Sequence, residues 1–285
     1  MKVAVIDVGS NSVRLMISEN GQTLSKEIQI TKLALGMKDG LLLTEAVERT
    51  VRAVSFFVNK ARSLAIEKVY IYATAAVRNA KNQDLFLKKV YELCGLKVDV
   101  VDGITESKIG VIGALDGRDG GIIDIGGAST EIAVSLNGEI VYCQSLNVGA
   151  VTITDKCGQN FESALNYANS LVGQYGVVPN VTFHGIGGTA TTISAVVQEL
   201  EPYDPTLVHG SKIDLLTLQT LADKLCSLSV EERKQLKGLQ PDRADVIAGG
   251  CAIMLAVMDY LNIDHFYVSE KDNLEGYLIY NSEKL

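Results

Sequence analysis

The sequence predicts an α/β protein built from two similar units. Three observations support this: an apolar strand that ends in aspartate and a small-residue turn occurs twice, strand-length apolar runs alternate with helical segments, and 285 residues suffice for two domains. Hydrophobic residues make up 47% and charged residues 21% of the chain, as in ordinary globular proteins. We therefore expect an ordered fold with little disorder.

The opening of the chain is repeated in its second half. Residues 2–17, KVAVIDVGSNSVRLMI, contain an apolar run that ends in Asp7 and a second run from Val13. The Gly/Ser/Asn turn between the two runs predicts a β-hairpin. Residues 121–136, GIIDIGGASTEIAVSL, repeat the pattern, and aligning Asp124 on Asp7 gives an offset of 124 − 7 = 117 residues. This offset, about one domain length, predicts a duplicated architecture.

Both halves continue with alternating strands and helices. In the first half we predict a third strand ending at Ile30, a helix over 44–64 with Thr44 as its N-cap, a strand over 69–73, a helix over 83–94, a strand over 98–101 and a helix over 105–115. In the second half we predict strands over 140–145, 181–184 and 265–269 and helices over 190–200, 215–225 and 244–261. The linker at 116–121 gives domains 1–118 and 119–285.

Charge and hydropathy exclude several classes of protein. The net charge is −8 and no basic run occurs, so we expect no nucleic-acid partner. The first residues reach Asp7 too soon for a signal peptide, and the apolar stretch 246–258 is stopped by Asp259, so we expect no membrane association. Five scattered cysteines without CxxC pairs favour reduced thiols and a cytoplasmic location.

Three glycine-containing loops follow apolar strands, at 7–12, 124–131 and 184–190. Glycine leaves successive backbone N–H groups open to an anion, and neighbouring hydroxyls add donors. Carboxylates at the loop edges cannot bind phosphate directly, but they can hold Mg²⁺ or orient a water molecule. One such loop would be an ordinary turn, whereas two in register predict an anion site. No P-loop motif is present.

These loops resemble those of the exopolyphosphatase/guanosine pentaphosphate phosphohydrolase family, within the actin-like ATPase superfamily. The resemblance is carried by DVGSNS at 7–12, DIGGASTE at 124–131, ATAAVRNAKN at 73–82, GGT at 187–189, and RADVI at 243–247 followed by Gly250. It implies two ribonuclease-H-like domains with a cleft between them and hinge motion. It also implies that the final helix, from about 274, packs on the first domain.

The resemblance implies a role for each site residue. Glu106 is the catalytic glutamate and Glu131 a second carboxylate, while Asp7 and Asp124 bind the metal, Mg²⁺. The predicted phosphate-binding residues are Gly9, Ser10, Asn11, Ser12, Arg78, Gly126, Gly127, Ser129, Gly187 and Gly188. A glutamate in the first turn of a helix can act as general base for a water that attacks phosphate. From the residues alone, Glu106 could instead simply complement the helix dipole, and Arg78 could form an interdomain salt bridge.

The chain departs from the family pattern at three points. The family commonly has an arginine before the first long helix, where this chain has Ala34, and Gly-Leu-Arg-Glu-Gly after the last strand, where it has Leu274 in the sequence DNLEG. Two cations that could hold a long anionic chain are therefore missing. The third glycine of the second loop is Ala128.

The predicted function is release of terminal phosphate from inorganic polyphosphate, from guanosine pentaphosphate, or from both. Two alternatives stay open, namely a non-catalytic sensor of alarmone nucleotides and an ATPase or kinase of the same superfamily. The sequence leaves open whether the chain forms a homodimer.

Overall fold

The computed structural model describes residues 1–66 and 68–282. The chain divides into two compact units: unit 1 contains Met1–Glu106 and the residues from Tyr277 onward, and unit 2 contains Ser107–Gly276. The division thus falls at 106/107 rather than at 118. Tyr277 belongs to unit 1 because its ring stacks on Tyr72, with centroids 4.3 Å apart, and its hydroxyl donates to Asp99 at 2.9 Å.

Unit 1 is built around a five-stranded mixed sheet. Its strands are β1 (Lys2–Val8), β2 (Ser12–Glu19), β3 (Gln22–Ile30), β4 (Lys68–Ala73) and β5 (Asp99–Val100), in the order β3-β2-β1-β4-β5. Its helices are α1 (Thr44–Ser63), α2 (Ala75–Arg78) and α3 (Gln83–Cys94), and α4 (Gly103–Leu115) begins here. The first strand is antiparallel to β2 and parallel to β4. Apolar residues of α1, including Val54 and Phe57, are buried.

Unit 2 is built around a six-stranded mixed sheet. Its strands are β6 (Gly120–Ile125), β7 (Thr130–Leu136), β8 (Glu139–Leu146), β9 (Phe183–Ile186), β10 (Lys212–Asp214) and β11 (His265–Val268), in the order β10-β11-β9-β6-β7-β8. Its helices are α5 (Ala150–Cys157), α6 (Phe161–Val172), α7 (Gly187–Val197), α8 (Pro205–Val208), α9 (Leu215–Ser227), α10 (Val230–Arg233) and α11 (Ile247–Leu261), and α12 (Asn273–Ser282) begins here. The predicted apolar helix is α11, which is buried from Ile247 to Met258.

The two sheets share one topology. The order β8-β7-β6-β9-β11 in unit 2 repeats β3-β2-β1-β4-β5 in unit 1. The hairpin registers also correspond, because Asp7 lies opposite Arg14 and Asp124 lies opposite Glu131. The predicted α/β class and the duplication are confirmed.

Several element boundaries differ from the sequence prediction. Thr44 is the first residue of α1 rather than its N-cap, and Leu43 takes the N-cap position without a side-chain hydrogen bond. The strand β9 begins two residues later than predicted, at Phe183, and α7 begins at Gly187, because the glycines after the strand start the helix directly. The helices α5 and α6 were not predicted, although the small residues of α6 pack into the core.

Membrane-spanning helices and disulfides can be assessed for the described residues. None of the helices between residues 1 and 282, residue 67 aside, is long and apolar enough to cross a bilayer. Over the same residues the cysteines form no disulfide.

Candidate active site

Asp7, near the end of β1, is held by an arginine from the neighbouring strand. Its Oδ2 accepts hydrogen bonds from Nε and Nη2 of Arg14, at 2.9 and 2.5 Å. The two residues are direct cross-strand partners, so their side chains lie on the same face of the sheet. Asp7 is 4% exposed, and the guanidinium supplies the positive charge that a buried carboxylate needs.

The loop after Asp7 is fixed by backbone hydrogen bonds. The N–H of Gly9 donates to the Ser12 carbonyl at 2.9 Å, and the Ser10 carbonyl accepts from Ala34 at 2.9 Å. The Asn11 carbonyl accepts from both Thr31 and Lys32, at 3.0 and 2.8 Å. The Oδ1 of Asn11 is buried and has no hydrogen-bond partner among the described residues. A rigid loop with an unsatisfied polar atom suits ligand binding.

Glu106 is a buried carboxyl in the first turn of α4. Its Oε2 accepts a hydrogen bond from Nη1 of Arg78 at 2.6 Å, and the same nitrogen donates to the Val101 carbonyl at 2.9 Å. Burial raises the pKa of Glu106 to about 7; Arg78 opposes this rise and the negative charge of Asp7 adds to it. A carboxyl with a pKa near neutrality can exchange a proton at physiological pH, as a general base must.

Two carboxylates lie opposite each other in unit 2. Asp124 of β6 and Glu131 of β7 are direct cross-strand partners, and they are 7% and 1% exposed. Glu131 accepts a hydrogen bond from the Ser145 hydroxyl at 2.6 Å, and Asp124 accepts one from Nδ2 of Asn273 at 2.8 Å. Because two ionised carboxylates directly opposite each other repel, a cation bound between them would offset that repulsion.

The second loop, 124–131, is hydrogen-bonded to the first residues of α5. The carbonyls of Gly126 and Gly127 accept hydrogen bonds from Ala150 and Val151, each at 2.9 Å. A Cβ at Gly149 would lie 2.5 Å from the nitrogen of Ala128, so only glycine permits this approach. The backbone of the loop is therefore fixed by hydrogen bonds from α5.

The third loop, 184–190, lies against Asp124 of the second loop. Gly187 has φ +72°, and a Cβ there would lie 2.6 Å from Oδ1 of Asp124. A Cβ on Gly188 would lie 2.1 Å from the guanidinium of Arg243. The hydroxyl of Thr189 donates to the Ile125 carbonyl at 2.8 Å, which ties α7 to the end of β6. The positive φ of Gly187 thus favours glycine, whereas a side chain at Gly188 would displace the guanidinium of Arg243.

Each unit gathers its own set of predicted residues. Unit 1 brings together the loop of Asp7 with Arg78 and Glu106, and unit 2 brings together the loop of Asp124 and Glu131 with the Gly187 loop. The assigned roles of these residues stay predictions.

Sequence reasoning missed two polar side chains of the site, Arg14 and Asn273. Arg243, which belongs to the family-like segment at 243–247, lies with its guanidinium against Gly188. The two-residue periodicity of a hairpin could have placed Arg14 beside Asp7, whereas nothing local marks Asn273 as a partner of a residue in β6.

The unit 2 pair is chemically suited to a magnesium ion. No cluster of three or more His, Cys, Asp or Glu side chains that could hold a metal occurs in the described part of the chain. Mg²⁺, however, commonly binds through one or two carboxylates and completes its shell with water and substrate phosphates. Asp124 and Glu131 match that donor set, whereas the Oδ2 of Asp7 is already bound by Arg14.

Comparison with known proteins points to one family. A model of the Ppx/GppA phosphatase family matches residues 12–284. The chain is 34% identical to a bifunctional 3-dehydroquinate synthase/phosphatase of Fusobacterium nucleatum, over 97% of this chain and 46% of that protein. It is 30% identical to exopolyphosphatase 2 of Mycobacterium tuberculosis, over 96% and 97% of the two chains.

A third relative and a solved structure agree. The chain is 32% identical to a guanosine-5'-triphosphate,3'-diphosphate pyrophosphatase of Photobacterium profundum, over 92% of this chain and 55% of that protein. The chain thus spans about half the length of the Fusobacterium and Photobacterium proteins. The crystal structure of the Aquifex aeolicus Ppx/GppA family member superposes with a TM-score of 0.81 at 28% identity, covering 100% of this chain and 98% of that one. The chain therefore belongs to the Ppx/GppA phosphatase family.

Proposed function

We propose that the protein is a Mg²⁺-dependent phosphoanhydride hydrolase that releases terminal phosphate from inorganic polyphosphate, guanosine pentaphosphate or both. The observation that carries this proposal is Glu106, a buried carboxyl with a pKa of about 7 beside the guanidinium of Arg78. A stability role alone would favour an apolar residue at a site where burial opposes ionisation. A carboxyl with this pKa can accept a proton at neutral pH.

In this reaction Glu106 acts as general base. A water molecule attacks the terminal phosphorus, its proton passes to the carboxylate of Glu106, and the bond from phosphorus to the bridging oxygen breaks. Phosphate and a chain shortened by one phosphate leave. Arg78 keeps Glu106 in place and favours its ionised form, because the guanidinium opposes the effect of burial.

Unit 2 supplies the ligands for the cation. Asp124 and Glu131 are the residues that would hold Mg²⁺. Such an ion would neutralise negative charge on phosphate oxygens. The backbone of Gly126 and Gly127 and the hydroxyl of Ser129 are the proposed phosphate donors of this unit.

The substrate class follows from the named relatives and from two substitutions. Relatives are named exopolyphosphatase and guanosine-5'-triphosphate,3'-diphosphate pyrophosphatase. Ala34 and Leu274, which stand where the family pattern has arginines, are 2% and 1% exposed. Because these positions are filled by buried apolar side chains, we expect weaker binding of long polyphosphate than arginines would give. We propose a cytoplasmic location, because the five cysteines are scattered along the sequence without CxxC pairs.

The test is a parallel assay of phosphate release. Long-chain polyphosphate, short-chain polyphosphate, guanosine pentaphosphate and ATP are compared with Mg²⁺, for the wild type, Glu106→Gln and the control Glu92→Gln. Glu92 is an exposed residue of α3 that pairs with Lys88. We expect Glu106→Gln to lose at least about 100-fold, the lower end of a general-base contribution, and the control to keep its activity.

Each outcome has a defined meaning. Release that collapses only in Glu106→Gln supports the hydrolase and identifies its substrate. ATP turnover far above that of the other substrates would favour the ATPase alternative. Guanosine pentaphosphate binding without release at any Mg²⁺ concentration would overturn the proposal in favour of the sensor.

A further inference from the structure

Three glycines allow an unusually close crossing of α4 and the first turn of α12 in unit 2. A Cβ on Gly113 would lie 2.0 Å from the Asp272 carbonyl oxygen, and one on Gly276 would lie 1.8 Å from the Ile109 carbonyl oxygen. Any larger residue at either position would push the helices apart. The first turn of α12 is therefore locked in position against α4.

The side chain of Asn273 lies at this crossing. It is 5% exposed, and its Nδ2 donates to Oδ2 of Asp124 at 2.8 Å. A Cβ on Gly110 would lie 2.8 Å from Oδ1 of Asn273, so the third glycine makes room for the amide. The amide orientation is fixed by chemistry, since the opposite one would place two oxygen acceptors against each other.

The backbone of Asn273 is fixed as well as its side chain. The N–H of Leu274 donates to Oδ1 of Asp272 at 2.9 Å, and the N–H of Gly276 donates to the Asp272 carbonyl at 3.0 Å. These bonds close the first turn of α12 around Asp272. Asn273 therefore presents its amide to Asp124 from a rigid support.

Asn273 is a costly choice of residue for packing alone. Its Oδ1 is buried and has no hydrogen-bond partner among residues 1–66 and 68–282. A buried polar atom without a partner lowers stability, and an apolar side chain of similar size would avoid that loss. The remaining benefit is the hydrogen bond to Asp124.

Asp124 is consequently confined on two sides. The amide of Asn273 binds its Oδ2, and Gly187 lies so close to its Oδ1 that no Cβ fits between them. A carboxylate with a fixed rotamer binds a cation better than one that must first be ordered, and partners behind metal ligands typically change affinity by about 10- to 100-fold.

We propose that Asn273 is a positioning residue that orients the Asp124 carboxylate and thereby sets the affinity of the Asp124/Glu131 pair for a divalent cation. This inference rests on the proposed function, since it assumes that the pair holds Mg²⁺. Asn273 itself touches neither substrate nor cation.

The test measures cation binding directly, with Mn²⁺ followed by electron paramagnetic resonance and Mg²⁺ followed by calorimetry, in the full chain without substrate. The first variant is Asn273→Leu, which keeps the size of the side chain and removes its hydrogen-bond donor. The second is Asn273→Ser, whose smaller side chain needs no more space than asparagine. The matched control is Asn281→Leu, because the amide of Asn281 also lies on α12 but donates to the Tyr277 carbonyl. Phosphate release against Mg²⁺ concentration is recorded in the same samples.

We expect Asn273→Leu and Asn273→Ser to weaken Mn²⁺ binding by about 10- to 100-fold and to raise the Mg²⁺ concentration for half-maximal rate in parallel. The control should stay within about twofold of the wild type. Either of two results would overturn the inference. One is a folded Asn273 variant that binds Mn²⁺ as tightly as the wild type, and the other is a wild type that does not bind Mn²⁺. Loss of the proposed function is separately visible, as absence of phosphate release by the wild type.

Discussion

Replacement of Arg78 by glutamine should move the acid limb of the pH–rate profile to higher pH. In the proposed mechanism phosphate release requires ionised Glu106, so in the wild type the rate should fall as the pH drops through about 7, the pKa of that carboxyl. Arg78 opposes the rise of this pKa, and removing its charge therefore raises the pKa further. More of the carboxyl is then protonated at neutral pH, and less can act as base.

The contact geometry bounds the size of the shift. Nη1 of Arg78 lies 2.6 Å from Oε2 of Glu106. Two unit charges about 4 Å apart interact by about 4 kcal/mol at an effective dielectric constant of about 20, which corresponds to about three pKa units. The Arg78 side chain is 18% exposed, so solvent reduces this value. We expect a shift of about 1–3 units and, since about half of the wild-type carboxyl is ionised at pH 7, a rate at that pH lower by about 5- to 500-fold.

The assay follows kcat/KM from pH 5.5 to about 10 for the wild type, Arg78→Gln and Arg52→Gln. Arg52 is an exposed arginine of α1 and controls for the loss of one positive charge. The terminal phosphate of the substrate also titrates near pH 6, but identically for every variant. An acid limb that stays at about 7 in Arg78→Gln would therefore refute the assignment of Glu106 as the titrating base.

Two further predictions, each with a control variant, test the geometry of unit 2 and of unit 1. Gly187→Ala should displace Asp124 and abolish most Mg²⁺-dependent phosphate release. Gly176 is the control, because it shares the positive φ but has no atom within 4 Å of a new Cβ. Gly176→Ala should therefore lower stability by only about 1 kcal/mol and leave the activity unchanged. Arg14→Gln should lower the thermal midpoint, because a buried Asp7 that loses a charged partner costs about 3 kcal/mol, and Arg14→Lys should lower it less. Equal phosphate release by the two alanine variants would contradict the first prediction. An unchanged thermal midpoint of unfolding in Arg14→Gln would contradict the second.

Local patterns explain what could be predicted from the sequence. The hairpin of Asp7 and its copy at Asp124 are short-range features in which apolar alternation and turn residues act together, so the strands and the duplication were found. The helix α3 was predicted to the residue, since its apolar periodicity is strong and Gly95 ends it with φ +70°. The helix α5 has only eight residues, and α6 was missed although its apolar residues recur at helical spacing from Phe161 to Val172.

The missing parts of the site depend on long-range packing. Asn273 reaches Asp124 across 149 positions of sequence, through a helix crossing set by glycines that individually resemble ordinary small residues. The pKa of Glu106 likewise depends on burial and on Arg78, 28 positions away. Neither effect has a local pattern, so sequence reasoning reached these residues only through family resemblance, or not at all.

The duplication makes one difference between the units chemically informative. Arg14 and Glu131 occupy the same register position, opposite Asp7 and Asp124, and 131 − 14 gives the same offset of 117 residues. In unit 1 a guanidinium lies opposite the aspartate, whereas in unit 2 a second carboxylate does. When both carboxylates of a buried pair are ionised they repel each other, and a bound cation offsets that repulsion. We therefore propose that Mg²⁺ binds at the pair in unit 2, where Asp124 and Glu131 supply two carboxylates.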